Sequence, residues 1–90
     1  MNLDARPTIP EHVMARRVGA ETVLLNLQTG VYFGLDGVGT EIWALIEKGA
    51  SLRAIGAELA ARYEAPAERI EADVVRLAGD LARGGLLVVA

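Results

Sequence analysis

Cysteine is absent from these 90 residues. That excludes disulfides and thiolate metal sites, and it fits a reducing compartment. Histidine occurs once, as His12, and serine once, as Ser51. A lone imidazole with no carboxylates brought near it by spacing builds no metal site, so His12 reads as a surface residue at the start of a strand. Ser51 stands where a helix needs a cap, and neither it nor Thr22, Thr29 and Thr40 has a base nearby in sequence. No run approaches the roughly 20 apolar residues of a membrane helix. Residues 1–11 carry Asp4, Arg6, Pro7 and Pro10 without an apolar stretch, so they do not read as a secretory signal. Positive charge is scarce as well: nine Lys and Arg face twelve Asp and Glu, for a net charge of −3. That balance argues against general affinity for nucleic-acid phosphates. The expectation is a cytoplasmic protein with no cofactor, no metal and no membrane association.

What is present is an apolar fraction of 52%, ordinary for one small globular domain. Residues 1–11 are polar and proline-interrupted, which predicts a mobile tail ahead of a single domain over residues 12–90. Strands are expected over residues 12–18, 21–27 and 31–35. The connection Gln28-Thr29-Gly30 suits a three-residue hairpin loop closed by a left-handed glycine. That register sets Leu27 opposite Val31, Leu25 opposite Phe33 and Val23 opposite Leu35, all apolar and on one face. A two-residue loop would pair Asn26 with Val31 and mix the faces, so the first register is preferred.

Helical spacing begins after Asp36, a plausible N-cap. Val38, Ile42, Leu45 and Ile46 form one stripe, and Gly49 suits the position past the helix end. Ser51 caps a second helix with Leu52, Ile55 and Leu59 inward. Gly56 shares that face and weakens the helix by about 1 kcal/mol relative to alanine. Pro66 suits the first turn of a third helix, whose stripe is Ile70, Val74, Leu77 and Leu81. Gly84-Gly85 ends it, and residues 86–89 form a short apolar tail that could dock. Three antiparallel strands followed by three helices make an α+β domain whose helices cover one sheet face.

Catalytic constellations are missing. On the third helix Glu68, Glu71, Asp73 and Asp80 alternate with Arg69, Arg76 and Arg83, which predicts pairs Arg69–Asp73 and Arg76–Asp80 on a charged outer face. Gly37 and Gly39 follow a strand and open a helix, but Ile42 stands where a dinucleotide fingerprint needs its third glycine, and no Gly-Lys-Ser/Thr occurs. Trp43, the one tryptophan, is assigned to the core. The first strand blunts its edge with Arg16 and Arg17. The third, VYFGL, has no charge and no proline, so its edge is either covered by the protein's own chain or kept for an extended partner.

Taken together, VLLNLQTGVYFGLD, Ile42-Trp43, Lys48-Gly49, Leu59 and Tyr63, Asp73-Val74 with Leu77 and Leu81, and Gly85-Leu86-Leu87 resemble the PqqD-like family of peptide-recognition domains in ribosomal peptide maturation. The stand-alone leader-binding proteins of lasso-peptide systems are especially similar. The resemblance implies a winged helix-turn-helix-like fold and a non-catalytic adaptor. It would bind a precursor's leader peptide as an added strand and present it to a leader peptidase or a radical SAM enzyme. It places the contact strand at Val31, Tyr32, Phe33 and Gly34. The facing helix residues are Arg69, Asp73, Val74, Arg76, Leu77 and Asp80. A monomer or weak homodimer is expected. The competing reading is a winged-helix DNA-binding protein, against which the acids interspersed on the third helix count.

Overall fold

Each switch in hydrophobic period marks an element of the computed structural model, which describes residues 2–89. The elements are β1 (Val13–Val18), β2 (Glu21–Asn26), β3 (Tyr32–Leu35), α1 (Gly37–Glu47), α2 (Leu52–Tyr63) and α3 (Ala67–Arg83). The sheet is antiparallel in the order β1-β2-β3, and α1 lies against β2 and β3. The helices begin where local chemistry provides caps. Asp36 Oδ1 accepts from Gly39 N at 2.8 Å, and Ser51 Oγ accepts from Ala54 N at 3.1 Å. The architecture is the expected α+β one, a three-stranded antiparallel sheet with three helices.

The hairpin register differs from the expected one by a residue. Leu25 lies opposite Tyr32, Leu24 opposite Phe33 and Thr22 opposite Leu35, while Asn26 N donates to Val31 O at 2.9 Å. This is the pairing that mixes polar and apolar positions. It is stable because its polar inward residue is fully bonded. Asn26 is buried, and its Oδ1 accepts from Gln28 N at 2.9 Å and Thr29 N at 3.2 Å. Its Nδ2 donates to Gly84 O at 3.0 Å. A satisfied amide removes the desolvation penalty that would exclude it from an inner face. Gly30 keeps the expected left-handed conformation at φ 76°. Thr22, Leu24 and Asn26 consequently face inward with Phe33 and Leu35, and Val23 and Leu25 face outward.

Leu24, Leu35, Ile42, Trp43, Ile46, Leu52, Ile55, Leu59, Val74, Ala78, Leu81, Leu86 and Leu87 make one core. Within α1, Trp43 takes a central place that the stripe had given to Val38, which is exposed. The Trp43 indole nitrogen is buried and has no acceptor among the described residues. Thr40 Oγ1 donates to Thr22 Oγ1 at 2.9 Å, tying α1 to β2. Gly56 has its reason in the crossing of α2 and α3: a Cβ there would stand 3.0 Å from Glu71 Cγ. The helices therefore touch where a side chain would hold them apart.

Residues 2–11, expected as a mobile tail, are docked. Leu52 N donates to Ala5 O at 3.0 Å and Arg53 N to Leu3 O at 2.7 Å, so the segment satisfies the first free amides of α2. Pro7 is buried, Leu3 and Ile9 pack on the core, and Thr8 and Val88 exchange two backbone bonds of 2.9 Å. The apolar tail after α3 is thereby held to the N-terminal segment, with Leu86 and Leu87 buried and Val88 exposed. His12, expected at the surface, is half-buried, with Nε2 3.0 Å from Gly85 O.

Candidate functional site

The third strand has a strand neighbour on one side only. Because Asn26 pairs with Val31 through the backbone, alternation along the ladder directs the amides and carbonyls of Val31, Phe33 and Leu35 toward β2. Those of Tyr32 and Gly34 point to the open edge. Among the described residues, no other backbone group pairs with them. Neither a charge nor a proline obstructs this edge.

A groove of about 470 Å³ runs beside it. Gly34 and Asp36 form one wall, Val38, Gly39 and Ile42 of α1 form the base of one end, and Asp73, Arg76, Leu77 and Asp80 of α3 form the other wall. The half-buried Leu77 supplies an apolar surface between charged neighbours. The charges on this wall pair differently from expectation. Arg76 holds Asp73 at 3.3 Å and Arg83 holds Asp80, each three residues downstream of its carboxylate. Helical side chains lean toward the N-terminus, so an arginine downstream reaches back over an aspartate while one upstream leans away. Arg76 is 75% exposed, and such a pair contributes at most about 1 kcal/mol. Asp73 and Arg76 can exchange one another for a ligand's groups at little cost.

A second cleft shares Asp36 and Val38 with the groove and ends at Glu41 and Tyr63. The Tyr63 hydroxyl bonds Glu41, and Arg62 reaches Glu41 at 3.0 Å and Glu58 at 2.9 Å. The bond to Glu41, with some desolvation, raises the Tyr63 phenol above its ordinary value near 10. A raised value means that this contact is intact below that ordinary value and is lost as pH climbs through the folded one. Among the described residues no cluster of His, Asp and Glu is arranged to hold a metal, and no helix is long and apolar enough to cross a membrane.

Of the ten residues expected at the site, Gly34, Asp73, Arg76, Leu77 and Asp80 line the groove. Tyr32 is 69% exposed on the free edge. Phe33 is half-buried, with its backbone committed to Leu24. Val31 precedes the strand, its carbonyl bonded to Asn26 and its amide to Thr29 Oγ1 at 3.3 Å. Arg69 is exposed one helical turn outside the groove. Val74 has no exposed surface at all and belongs to the core, which corrects its assignment as a peptide contact. Asp36, Val38, Gly39 and Ile42 were not anticipated as lining. The available signal was the single residue separating β3 from α1, which forces the helix start against the strand edge.

The chain is similar to solved structures and to one protein family. A solved structure described as TbiB1 in complex with the TbiA(beta) leader peptide is 39% identical, superposes with a TM-score of 0.84, and is matched over 88% of this chain and 92% of that one. Another, described as lasso peptide synthetase B1 complexed with the leader peptide, shares the fold at 21% identity, with a TM-score of 0.86 over 93% of this chain and 99% of that one. No curated protein matches. Residues 21–87, from the start of β2 to the buried end of the C-terminal tail, match the family described as coenzyme PQQ synthesis protein D, and the chain belongs to the PqqD family.

Proposed function

We propose that this protein is a non-catalytic adaptor that captures the leader segment of a ribosomally made precursor peptide as a fourth strand on β3. It then presents the bound precursor to a separate maturation enzyme, a leader peptidase or a radical SAM enzyme. The observation that carries this reading is the free backbone of Tyr32 and Gly34 beside a groove walled by Asp73, Arg76, Leu77 and Asp80. Main-chain bonds to the edge supply affinity that is indifferent to sequence, and the groove supplies selectivity. Leader side chains alternate, so every second one enters the groove and meets Leu77 and the flanking charges. The 39% identical relative, solved with a leader peptide, supports the same choice of ligand, and the fold shared with the structure described as lasso peptide synthetase B1 is consistent with a lasso-peptide pathway.

The test is a titration of fluorescein-labelled leader peptides, from the precursor encoded beside the gene, followed by anisotropy. One peptide should bind at micromolar concentration or below, and its scrambled version should not. Asp73→Ala should weaken binding about fivefold, the loss of one partly exposed charged hydrogen bond, while the thermal melt stays unchanged. Binding that survives scrambling would overturn the reading.

A further inference from the structure

The walls of the groove are not packed directly on one another. α3 packs along α2, while its backbone makes no such close packing with β3 or α1, the other two sides of the groove. Toward the sheet it gives Val74, Ala78 and Leu81 to the core, and apolar contact of that kind is non-directional. Among the described residues, the hydrogen bonds that join α3 to the strands all lie at its end.

That end is Gly84-Gly85. Gly84 O accepts from Asn26 Nδ2 at 3.0 Å. Gly85 O accepts from the same nitrogen at 3.4 Å and lies 3.0 Å from His12 Nε2. A carbonyl can only accept, so His12 Nε2 carries the proton and donates. Two side chains thus hold two successive carbonyls. Asn26 ends β2, and its amide donates to Val31 O, directly ahead of β3. His12 directly precedes β1, and its own carbonyl accepts from Leu27 N at 2.8 Å. This latch therefore ties the end of one wall to the root of the strand that forms the other. Asp80, whose carbonyl accepts from Gly84 N at 3.2 Å, lines the groove one turn before the latch. Asp73 lines it about three turns before the latch, roughly 16 Å along the axis. Asn26 has a local duty besides, closing the hairpin turn through its Oδ1. His12 has none: among the described residues its ring bonds only Gly85 O.

We infer that His12 is a positioning residue for leader capture, whose bond to Gly85 fixes the C-terminal half of α3 at the separation from β3 that an added strand requires. This rests on the adaptor reading above. A wall fixed beforehand spares the leader the cost of ordering it, and the saving appears as affinity. The effect is graded along the helix, strongest near Asp80 and absent at Asp73.

The test compares His12→Phe, which keeps the bulk of the ring without a donor, with His12→Gln, whose amide donates from a similar reach. Labelled leader is titrated by anisotropy at a temperature where every variant is fully folded. His12→Phe should bind about fivefold more weakly, and His12→Gln within roughly twofold of the wild-type protein. General softening of the fold would act equally in every background, so a double-mutant cycle separates it from positioning. The loss should shrink to roughly twofold or less once Asp80→Ala is present, and persist in full beside Asp73→Ala. In the free protein, His12→Phe should speed amide exchange over residues 81–84 and leave residues 71–74 unchanged. Full affinity in His12→Phe, or an equal loss in both aspartate backgrounds, would overturn the inference while leader binding stands. Wild-type protein that binds no leader would remove the adaptor reading and this inference with it, leaving the latch a purely structural tie whatever the exchange rates show.

Discussion

Asn26 holds four backbone groups with one side chain: the amides of Gln28 and Thr29, and the carbonyls of Gly84 and, at 3.4 Å, Gly85. It closes the β2–β3 loop and fastens the end of α3 to the sheet. Gly85 is left-handed at φ 69°, and a Cβ there would approach Asn26 Nδ2 to 2.7 Å, so the glycine is required twice over. Asn26→Ala should lower stability by about 2–3 kcal/mol in urea denaturation, through two orphaned turn amides and the lost tie to the C-terminus. This residue also explains why the register was misread. Pairing apolar with apolar is a local rule, and although Asn26 Oδ1 is satisfied within its own turn, its Nδ2 is satisfied by carbonyls nearly sixty positions away that no local pattern shows. Asp36 and Ser51 were legible as caps because their partners lie three residues on.

At the level of elements, strand and helix positions followed from periodicity to within a residue or so at most boundaries. Residues 2–11 did not. Their two prolines and mixed polarity carry no period, yet they contribute carbonyls to the first amides of α2 and pair with the backbone of Val88. Such a segment is ordered by what it caps rather than by its own propensity. Deleting residues 2–10 should cost about 2–4 kcal/mol and increase amide exchange at Leu52 and Arg53, from lost burial of Leu3, Pro7 and Ile9 and two unpaired donors. A deletion that leaves both the melt and those exchange rates unchanged would contradict the docking. The cause of Gly56 lay equally outside its own helix, on Glu71 of α3.

For the molecule as a whole, the groove is built by β3, the start of α1 and the middle of α3, three stretches separated in sequence and joined only by the fold. The uncharged edge was readable from VYFGL alone. The α3 wall came through family resemblance, which identified Asp73 and Leu77 and, by adjacency in the motif, also drew in the buried Val74. Charge alternation could not decide which side of α3 faces the groove, because paired acids and arginines look alike on any solvated face.

Trp43 gives the protein an optical property. It is the one indole in the chain, 3% exposed, and it does not line the groove although Ile42 beside it does. Its emission in the folded state should lie to the blue of a solvent-exposed indole, because the ring is buried in the core. Denaturation should move it far to the red, whereas saturation with leader should leave its wavelength nearly unmoved. One spectrometer channel then reports folding and a labelled peptide reports occupancy, so the two can be followed in the same cuvette without either signal contaminating the other.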